Sequence, residues 1–398
     1  MLQKQQIRFP TKQNIKRNLF KCKAQDSNKL YNILKEQHQT KTLVAQIAPA
    51  VRVAIGESYG LKASEVSPNQ LVTALRNIGF DYVFDTLFAA DVTIVEEGNE
   101  LLHKLQSGVL NNTPMFTSCC PGWIGLAEKS YPEILPFIST TKSPQMIMGA
   151  VVKHVFAKSI QLKPEDIFMV SIMPCVRKQG EADREEFSHD VDLVITTNEL
   201  LAILKDREIE VPQQEETEFD KPFGVGSGGA AIFGKSGGVM TAALRYAYFA
   251  LTGKVLENID FTTMEDIPDV REASLTFTPS PDNIVNFPSD KPLTIKVAIV
   301  AGLGGAKKFL KLVAEGKVEH KFVEIMACAP FGCVGGAGNP SVGKNKNLLN
   351  ERKDALTSFD ANNVKKAAQD NEDVKELYKI FDERQAHDLF HTHFNGNE

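Results

Sequence analysis

Long apolar runs are missing from this 398-residue chain. None reaches the roughly 18 residues that a membrane-spanning helix needs, so the chain reads as soluble, with no membrane partner. No secretory signal is visible. Charge of one sign is not in excess either: a net charge of −5 is too mild to argue for a nucleic acid partner. No internal repeat and no low-complexity tract occurs, which excludes a repeat architecture. Tryptophan appears once, as Trp123, and cysteine six times, as Cys22, Cys119, Cys120, Cys175, Cys328 and Cys333. An even count would suit a disulfide framework. The length of the chain and the clustering of these residues in local motifs argue instead for a reducing compartment and a metal site.

What is present is an ordinary globular composition, 42% hydrophobic and 24% charged, long enough to bury a large core in two lobes or two domains. The most unusual stretch is Phe116-Thr117-Ser118-Cys119-Cys120-Pro121-Gly122-Trp123. Side chains of neighbouring residues diverge, so adjacent cysteines do not readily bind one metal ion or each other. One thiolate is then a ligand and the other is left for chemistry.

Residues 1–25 hold seven basic residues and no acid, interleaved with apolar ones. This is the composition of an organelle transit peptide or of a disordered basic tail. It implies an organelle matrix (chloroplast, hydrogenosome or mitochondrion) or, failing that, the cytoplasm. Residues 26–40 read as a helix or linker, and Cys22 has no assigned role.

Strand patterns recur at Thr42–Arg52, Pro114–Ser118, Asp166–Cys175, Asp192–Thr197, Leu293–Val300 and Lys321–Cys328. Helical patterns lie between them, at Leu71–Phe80 and Phe84–Leu105 among others. Glu97 and Glu100 share one face of the second. Residues 255–290 read as a long irregular connection. Strands alternating with helices predict an α/β fold, with two lobes, each a mainly parallel sheet flanked by helices. Cys119 and Cys120, Cys175 and Cys328 each follow a strand. In open parallel sheets such positions converge on one crevice outside the carboxyl ends.

Four cysteines are the usual complement of a cubane iron–sulfur cluster. Zinc sites usually take them as two close pairs, whereas here only Cys328 and Cys333 are close. Gly302-Leu303-Gly304-Gly305 lacks a full dinucleotide fingerprint and reads as a tight strand-to-helix turn. His387 and His391 read as terminal packing rather than as a metal pair.

Three segments resemble the signature regions of [FeFe]-hydrogenases: Thr117–Trp123, Met173-Pro174-Cys175-Val176-Arg177-Lys178-Gln179-Gly180-Glu181, and Glu324–Cys328 through Cys333–Gly336. The likeness runs from residue 41 to 398, the expected catalytic domain, and is to the short algal type without an N-terminal ferredoxin-like domain. The resemblance implies that Cys120, Cys175, Cys328 and Cys333 bind a [4Fe–4S] cubane in the cleft between the lobes. Cys333 would bridge it to a diiron subcluster bearing CO, cyanide and azadithiolate, completing the H-cluster. Cys119 would pass protons, with Glu97, Ser139 and Glu100 continuing the path. Lys178 would bond a cyanide, with Ala48 and Pro49 near the other diatomic ligands. Ser143, Gln145, Met173, Phe233 and Met326 would line the pocket. The implied substrates are protons and H2. The implied partners are ferredoxin, as electron donor or acceptor, and hydrogenase maturation proteins, the chain itself acting as a monomer.

This chemistry suits these residue types. Hydrogen is split heterolytically, so the proton must leave through groups that both accept and donate. The third segment departs from the family pattern. Four residues separate Cys328 from Cys333 where three are usual, and Ala337 and Asn339 stand in place of glycine and glutamine. The extra residue must bulge or displace Cys333. Lys104 stands where arginine is common. The alternative to an enzyme is a hydrogenase-like protein that holds only the cubane, with a scaffold, cluster-assembly or sensory role.

Overall fold

The architecture is that of a computed structural model, which describes residues 40–394 except 111–112, 188, 289–290 and 344, together with Leu30 and Asn32. The basic segment 1–25, with Cys22, and most of the 26–40 linker lie outside the described residues. In chain order the strands are β1 (Thr42–Ile47), β2 (Tyr82–Asp85), β3 (Met115–Phe116), β4 (Ile167–Met173), β5 (Leu193–Thr196), β6 (Thr262–Thr263), β7 (Val270–Phe277), β8 (Leu293–Ala301) and β9 (His320–Met326).

One sheet has the order β2-β1-β4-β5 and is parallel throughout. Its central strands are apolar on both faces and almost fully buried, as expected for parallel strands covered by helices on either side. The other sheet has the order β3-β9-β8-β7-β6. Its β3–β9 and β9–β8 pairs are parallel, and β8–β7 and β7–β6 are antiparallel.

The antiparallel edge corrects the reading of residues 255–290 as irregular. Val270–Phe277 mixes charged, hydroxyl and apolar residues without a strong period, and it becomes a strand because it pairs along its whole length with β8. Phe84 is a second correction, since it belongs to β2 and the helix begins only at Thr86. Asp85 sets that boundary: its carboxylate accepts the Leu87 N–H at 3.0 Å and the Arg52 guanidinium at 3.0 Å. The helix expected at Leu71–Phe80 spans Pro68–Ile78 and is closed at its start by a Ser67–Gln70 capping box.

The helix Thr86–Gln106 is apolar nearly all round in its first half and runs through the interior, against helices Gly238–Thr252 and Pro144–Val151. The main core joins both sheets, from Val44 and Met169 to Val297 and Phe322. A second core lies between the mixed sheet and helices Pro121–Ser130 and Gly302–Ala314. Gly302, at φ +81°, makes the tight strand-to-helix turn read from the sequence. No helix among the described residues is long and apolar enough to cross a membrane.

Candidate metal centre

The carboxyl ends of β1, β3, β4 and β9 lead into Ala48, the Cys119–Cys120 pair, Cys175 and Cys328. Helix Pro121–Ser130 begins directly after Cys120, with proline in its first turn, where a missing N–H costs nothing. Trp123 locks the turn: its indole Nε1 donates to the Thr117 carbonyl at 3.1 Å, and its ring lies 5.5 Å from that of Phe116. The paired cysteines diverge. Cys119 packs against the main core and Cys120 against the second. Cys120 Sγ accepts the Ala327 N–H at 3.4 Å, which holds the first cysteine loop against the third.

A cavity of about 80 Å3 lies between these loops, lined by Cys119, Cys120, Cys175 and Cys333 together with Ala48, Pro49, Gln145, Met173, Lys178, Phe233 and Met326. Cys328 is not on its wall but belongs to the same group. Burial, then Cys175 and Cys120, push its thiol up to about 12. Burial, then Cys328, Cys120 and Cys175, also push the Cys333 thiol well up. Thiols that resist ionisation in this way, Cys175 among them, fit a cationic guest that would hold them as thiolates. Among the described residues no three His, Cys, Asp or Glu side chains gather around a single ion. A lone ion would draw sulfurs to within ~4 Å of one another at bond lengths of about 2.3 Å. A wider ring of cysteines suits a multi-iron cluster.

The extra residue in the third loop is taken up by a turn. Gly332 donates its N–H to the Cys328 carbonyl at 2.8 Å and adopts φ +81°, and Cys333 stays on the cavity wall. Beyond it, Gly336 and Gly338 lie flush against Pro174, where an added Cβ would come within 2.3 and 2.7 Å of that residue's backbone. Ala337 between them is exposed, so its methyl group meets no such wall. Asn339 is buried: its carbonyl oxygen accepts the Thr197 hydroxyl at 2.6 Å, and its amide donates to the Cys333 and Val334 carbonyls at 3.4 and 3.3 Å.

Lys178 donates to Ser143 Oγ at 2.8 Å and to Glu181 Oε2 at 2.6 Å, two of the three hydrogen bonds an ammonium can give. Burial works against its charge, but the Glu181 carboxylate prevails and holds its pKa above that of an ordinary lysine. Gln145 braces the pair, donating to the Lys178 carbonyl and to Glu181, each at 3.1 Å. Ser143 touches the site only through Lys178.

Beside Cys119 lies Glu97, fully buried, with neither carboxyl oxygen in a hydrogen bond of ordinary length, although the Ser118 N–H and the Ser139 hydroxyl lie near enough to favour its charged form. Burial, then the charge of Glu100, push it up to about 8, so it is mostly protonated at neutral pH. The Cys119 thiol is pushed up by burial and then by Glu97. Ser139 donates to Glu100 Oε2 at 2.6 Å, and Lys104 pairs with Glu100 at 2.7 Å nearer the surface.

Several residues that tie the site together were not legible in the sequence. Gln46 is fully buried, donates to Ser171 Oγ at 2.7 Å and to the Gln145 carbonyl at 3.0 Å, and accepts from Thr86 Oγ1 at 3.0 Å. Arg352 is 1% exposed, pairs with Glu57 through two 2.6 Å bonds, and donates to the Val334 and Pro340 carbonyls at 2.7 and 2.8 Å. A glutamine inside an apolar strand was the available signal for Gln46. Arg352 had none.

Comparison with known proteins accords with this geometry. Residues 41–337 match the iron only hydrogenase large subunit, C-terminal domain, and residues 346–396 the iron hydrogenase small subunit. The NADP-reducing hydrogenase subunit HndD of Solidesulfovibrio fructosivorans is 40% identical over 367 residues, 89% of this chain and 60% of that protein. The chain thus spans about three fifths of that relative's length. The cytosolic Fe-S cluster assembly factor narfl of Danio rerio is 32% identical, over 94% of this chain and 92% of its own length. Among solved structures, a variant of the [FeFe]-hydrogenase HydA1 from Chlamydomonas reinhardtii superposes with a TM-score of 0.80 at 41% identity, covering 89% of this chain and 94% of that one. With both family regions matched and the cysteine loops converging on one cavity, the chain belongs to the iron-only hydrogenase family.

Proposed function

We propose that this protein is a ferredoxin-linked [FeFe]-hydrogenase that interconverts protons and H2. The supporting observation is the line of protonatable groups that starts at the cavity with Cys119 and continues through Glu97 to the Ser139–Glu100 hydrogen bond. A protein that only stored a cubane would have no use for it.

In this reading Cys120, Cys175, Cys328 and Cys333 would hold the [4Fe–4S] cubane, and Cys333 would also hold the diiron subcluster with its CO, cyanide and azadithiolate ligands. When bound, that group supplies the centre at which the H–H bond is cleaved heterolytically. The protein holds and moves the proton. Cys119, kept protonated by burial, gives and takes it at Sγ. Glu97, near Cys119 and Ser139 without a hydrogen bond of ordinary length to either, carries it between them. Ser139 passes it to Glu100, which Lys104 holds near the surface. Lys178 offers its ammonium to an anionic ligand and fixes its orientation. Ala48, Pro49, Met173, Phe233 and Met326 keep water out. Exposed Val176 and Arg177 follow Cys175 directly, which supports ferredoxin docking beside the cubane. Maturation proteins insert the diiron unit, the chain acts as a monomer, and the basic N-terminus sends it to an organelle matrix.

A second reading, a cubane-only assembly or sensory protein, is favoured by the extensive likeness to the narfl assembly factor. One experiment separates the two. The cubane is reconstituted, a synthetic diiron precursor is supplied anaerobically, and H2 evolution is measured with reduced ferredoxin. Turnover supports the enzyme. Infrared CO and cyanide bands without turnover support a sensory role, and neither bands nor turnover supports the scaffold.

A further inference from the structure

Glu100 faces a second cleft, outside the metal centre. Its volume is about 540 Å3, and Glu96, Glu100 and Thr140 face His387 and His391 across it. The two imidazoles are stacked, with ring centroids 4.4 Å apart and planes 4° from parallel. His387 is exposed, whereas the His391 side chain is only 8% exposed. Both nitrogens of His391 have partners: Nδ1 lies 2.8 Å from Thr140 Oγ1, and Nε2 lies 3.1 Å from Glu96 Oε2. The Tyr378 hydroxyl donates to the other Glu96 oxygen. Thr140 gives its backbone N–H to the Glu100 carboxylate, at 3.1 and 3.2 Å to its two oxygens. Glu96 and Glu100 lie one helical turn apart on the same face.

Packing accounts for the stack but not for its gradient, from an exposed ring to a buried one between a carboxylate and a hydroxyl. Imidazole is the side chain that ordinarily takes up and releases protons near neutral pH. Among the described residues the titratable groups around the pair are Glu96, Glu100, His103 and Lys104 from the long helix, Lys104 being paired with Glu100 at 2.7 Å, Tyr246 from helix Gly238–Thr252, Tyr378 from helix Glu372–Tyr378, and Asp382 and Glu383 at the start of helix Glu383–Phe390.

We propose that His387, His391 and Glu96 form a proton-exchange station that passes protons between bulk water and Glu100. The proposal rests on the reading of Glu97, Ser139 and Glu100 as a proton path. In uptake, His387 takes a proton from solvent and cleft water carries it to the Thr140 hydroxyl, which gives its own proton to Nδ1 of His391 while Glu96 accepts from Nε2–H. His391 then releases it to the Glu100 carboxylate through water in the cleft and returns to neutral. One proton enters and one leaves. The histidines line neither the metal cavity nor its wall; their part is confined to exchanging protons with Glu100.

The test compares reconstituted full-length His391→Gln, His387→Gln, Glu97→Gln and Glu100→Gln proteins, with turnover measured against pH and buffer concentration. His391→Gln is expected to lose about tenfold at low buffer, less than the loss typical of direct proton transfer, and added imidazole should restore it. His387→Gln, on the surface and safe for folding, should show a smaller loss, also restored. Independently of turnover, Glu96→Gln should move the titration of the His391 ring in NMR spectra of the full chain. If both histidine variants keep the wild-type pH profile while Glu97→Gln and Glu100→Gln abolish turnover, the station is wrong and the path stands. If the two glutamate variants also turn over normally, the path reading fails and takes the station with it. Loss in His391→Gln without rescue by imidazole, together with a lowered Tm, makes the role structural and overturns the proposal.

Discussion

The backbone N–H of Gly338 donates to the carbonyl of Pro174 at 2.8 Å. This bond fastens the segment after Cys333 to the residue before Cys175, so two cysteines remote in the chain are set against each other by backbone rather than by flexible side chains. Gly336 packs against the same carbonyl.

Gly336→Ala should therefore be costly. Its Cβ would press to within 2.3 Å of the Pro174 oxygen, a backbone atom that cannot swing aside. A loss of about 1–3 kcal/mol is expected, as for other overpacked sites. Exposed Ala337→Gly should stay within about 0.5 kcal/mol. Urea unfolding of both variants, with iron content after reconstitution, checks this; equal stability of the two would remove the close-packing argument.

Arg352→Met should destabilise the third cysteine loop from outside the cavity. It strands Glu57 and frees the Val334 and Pro340 carbonyls. Breaking a buried pair by removing one partner typically costs about 3–5 kcal/mol. The expected result is a lower Tm and incomplete cluster loading, the latter read from the visible iron–sulfur absorbance.

Cysteine variants should fall into two groups. Serine at Cys120, Cys175, Cys328 or Cys333 should lower iron content. Cys119→Ala should keep iron and the cluster spectra and lose most turnover. Iron assay alongside H2 evolution distinguishes them, and undiminished turnover in Cys119→Ala would falsify its role as proton carrier.

Stability should fall with rising pH in the chain before cluster loading. Glu97 is pushed from 4.5 up to about 8, by burial first and by Glu100 second. Glu324 and Asp91 are pushed up to about 7 and about 6, each chiefly by burial. A raised carboxyl binds its proton more tightly folded than unfolded. Its contribution is complete below the unfolded value and is lost as pH climbs through the folded one. Glu97 alone contributes a slope of up to about 1.4 kcal/mol per pH unit inside that window. Glu97→Gln should flatten the curve between pH 4.5 and about 8. Denaturant midpoints measured across that range test it, and parallel curves for the two proteins would defeat the assignment.

The convergence of the cysteine loops was legible in part because strand patterning and cysteine position are local properties. Apolar runs ending at Cys175 and near Cys328 place both at strand ends, and the diverging pair at Cys119–Cys120 follows from backbone geometry. The weakly patterned strand Val270–Phe277 was not legible, because only its pairing with β8 makes it one. Nor was the buried clamp of Arg352 on Glu57, two residues nearly three hundred positions apart (|i−j| = 295).

The residue order alone determined which sulfurs stand at the ends of strands, and that one of an adjacent pair would face away from the other. How far Glu97 is buried, how the extra loop residue is absorbed at Gly332, and which side chains close around Lys178 were decided by tertiary structure. These depend on burial and on contacts between distant segments, which a linear sequence does not specify.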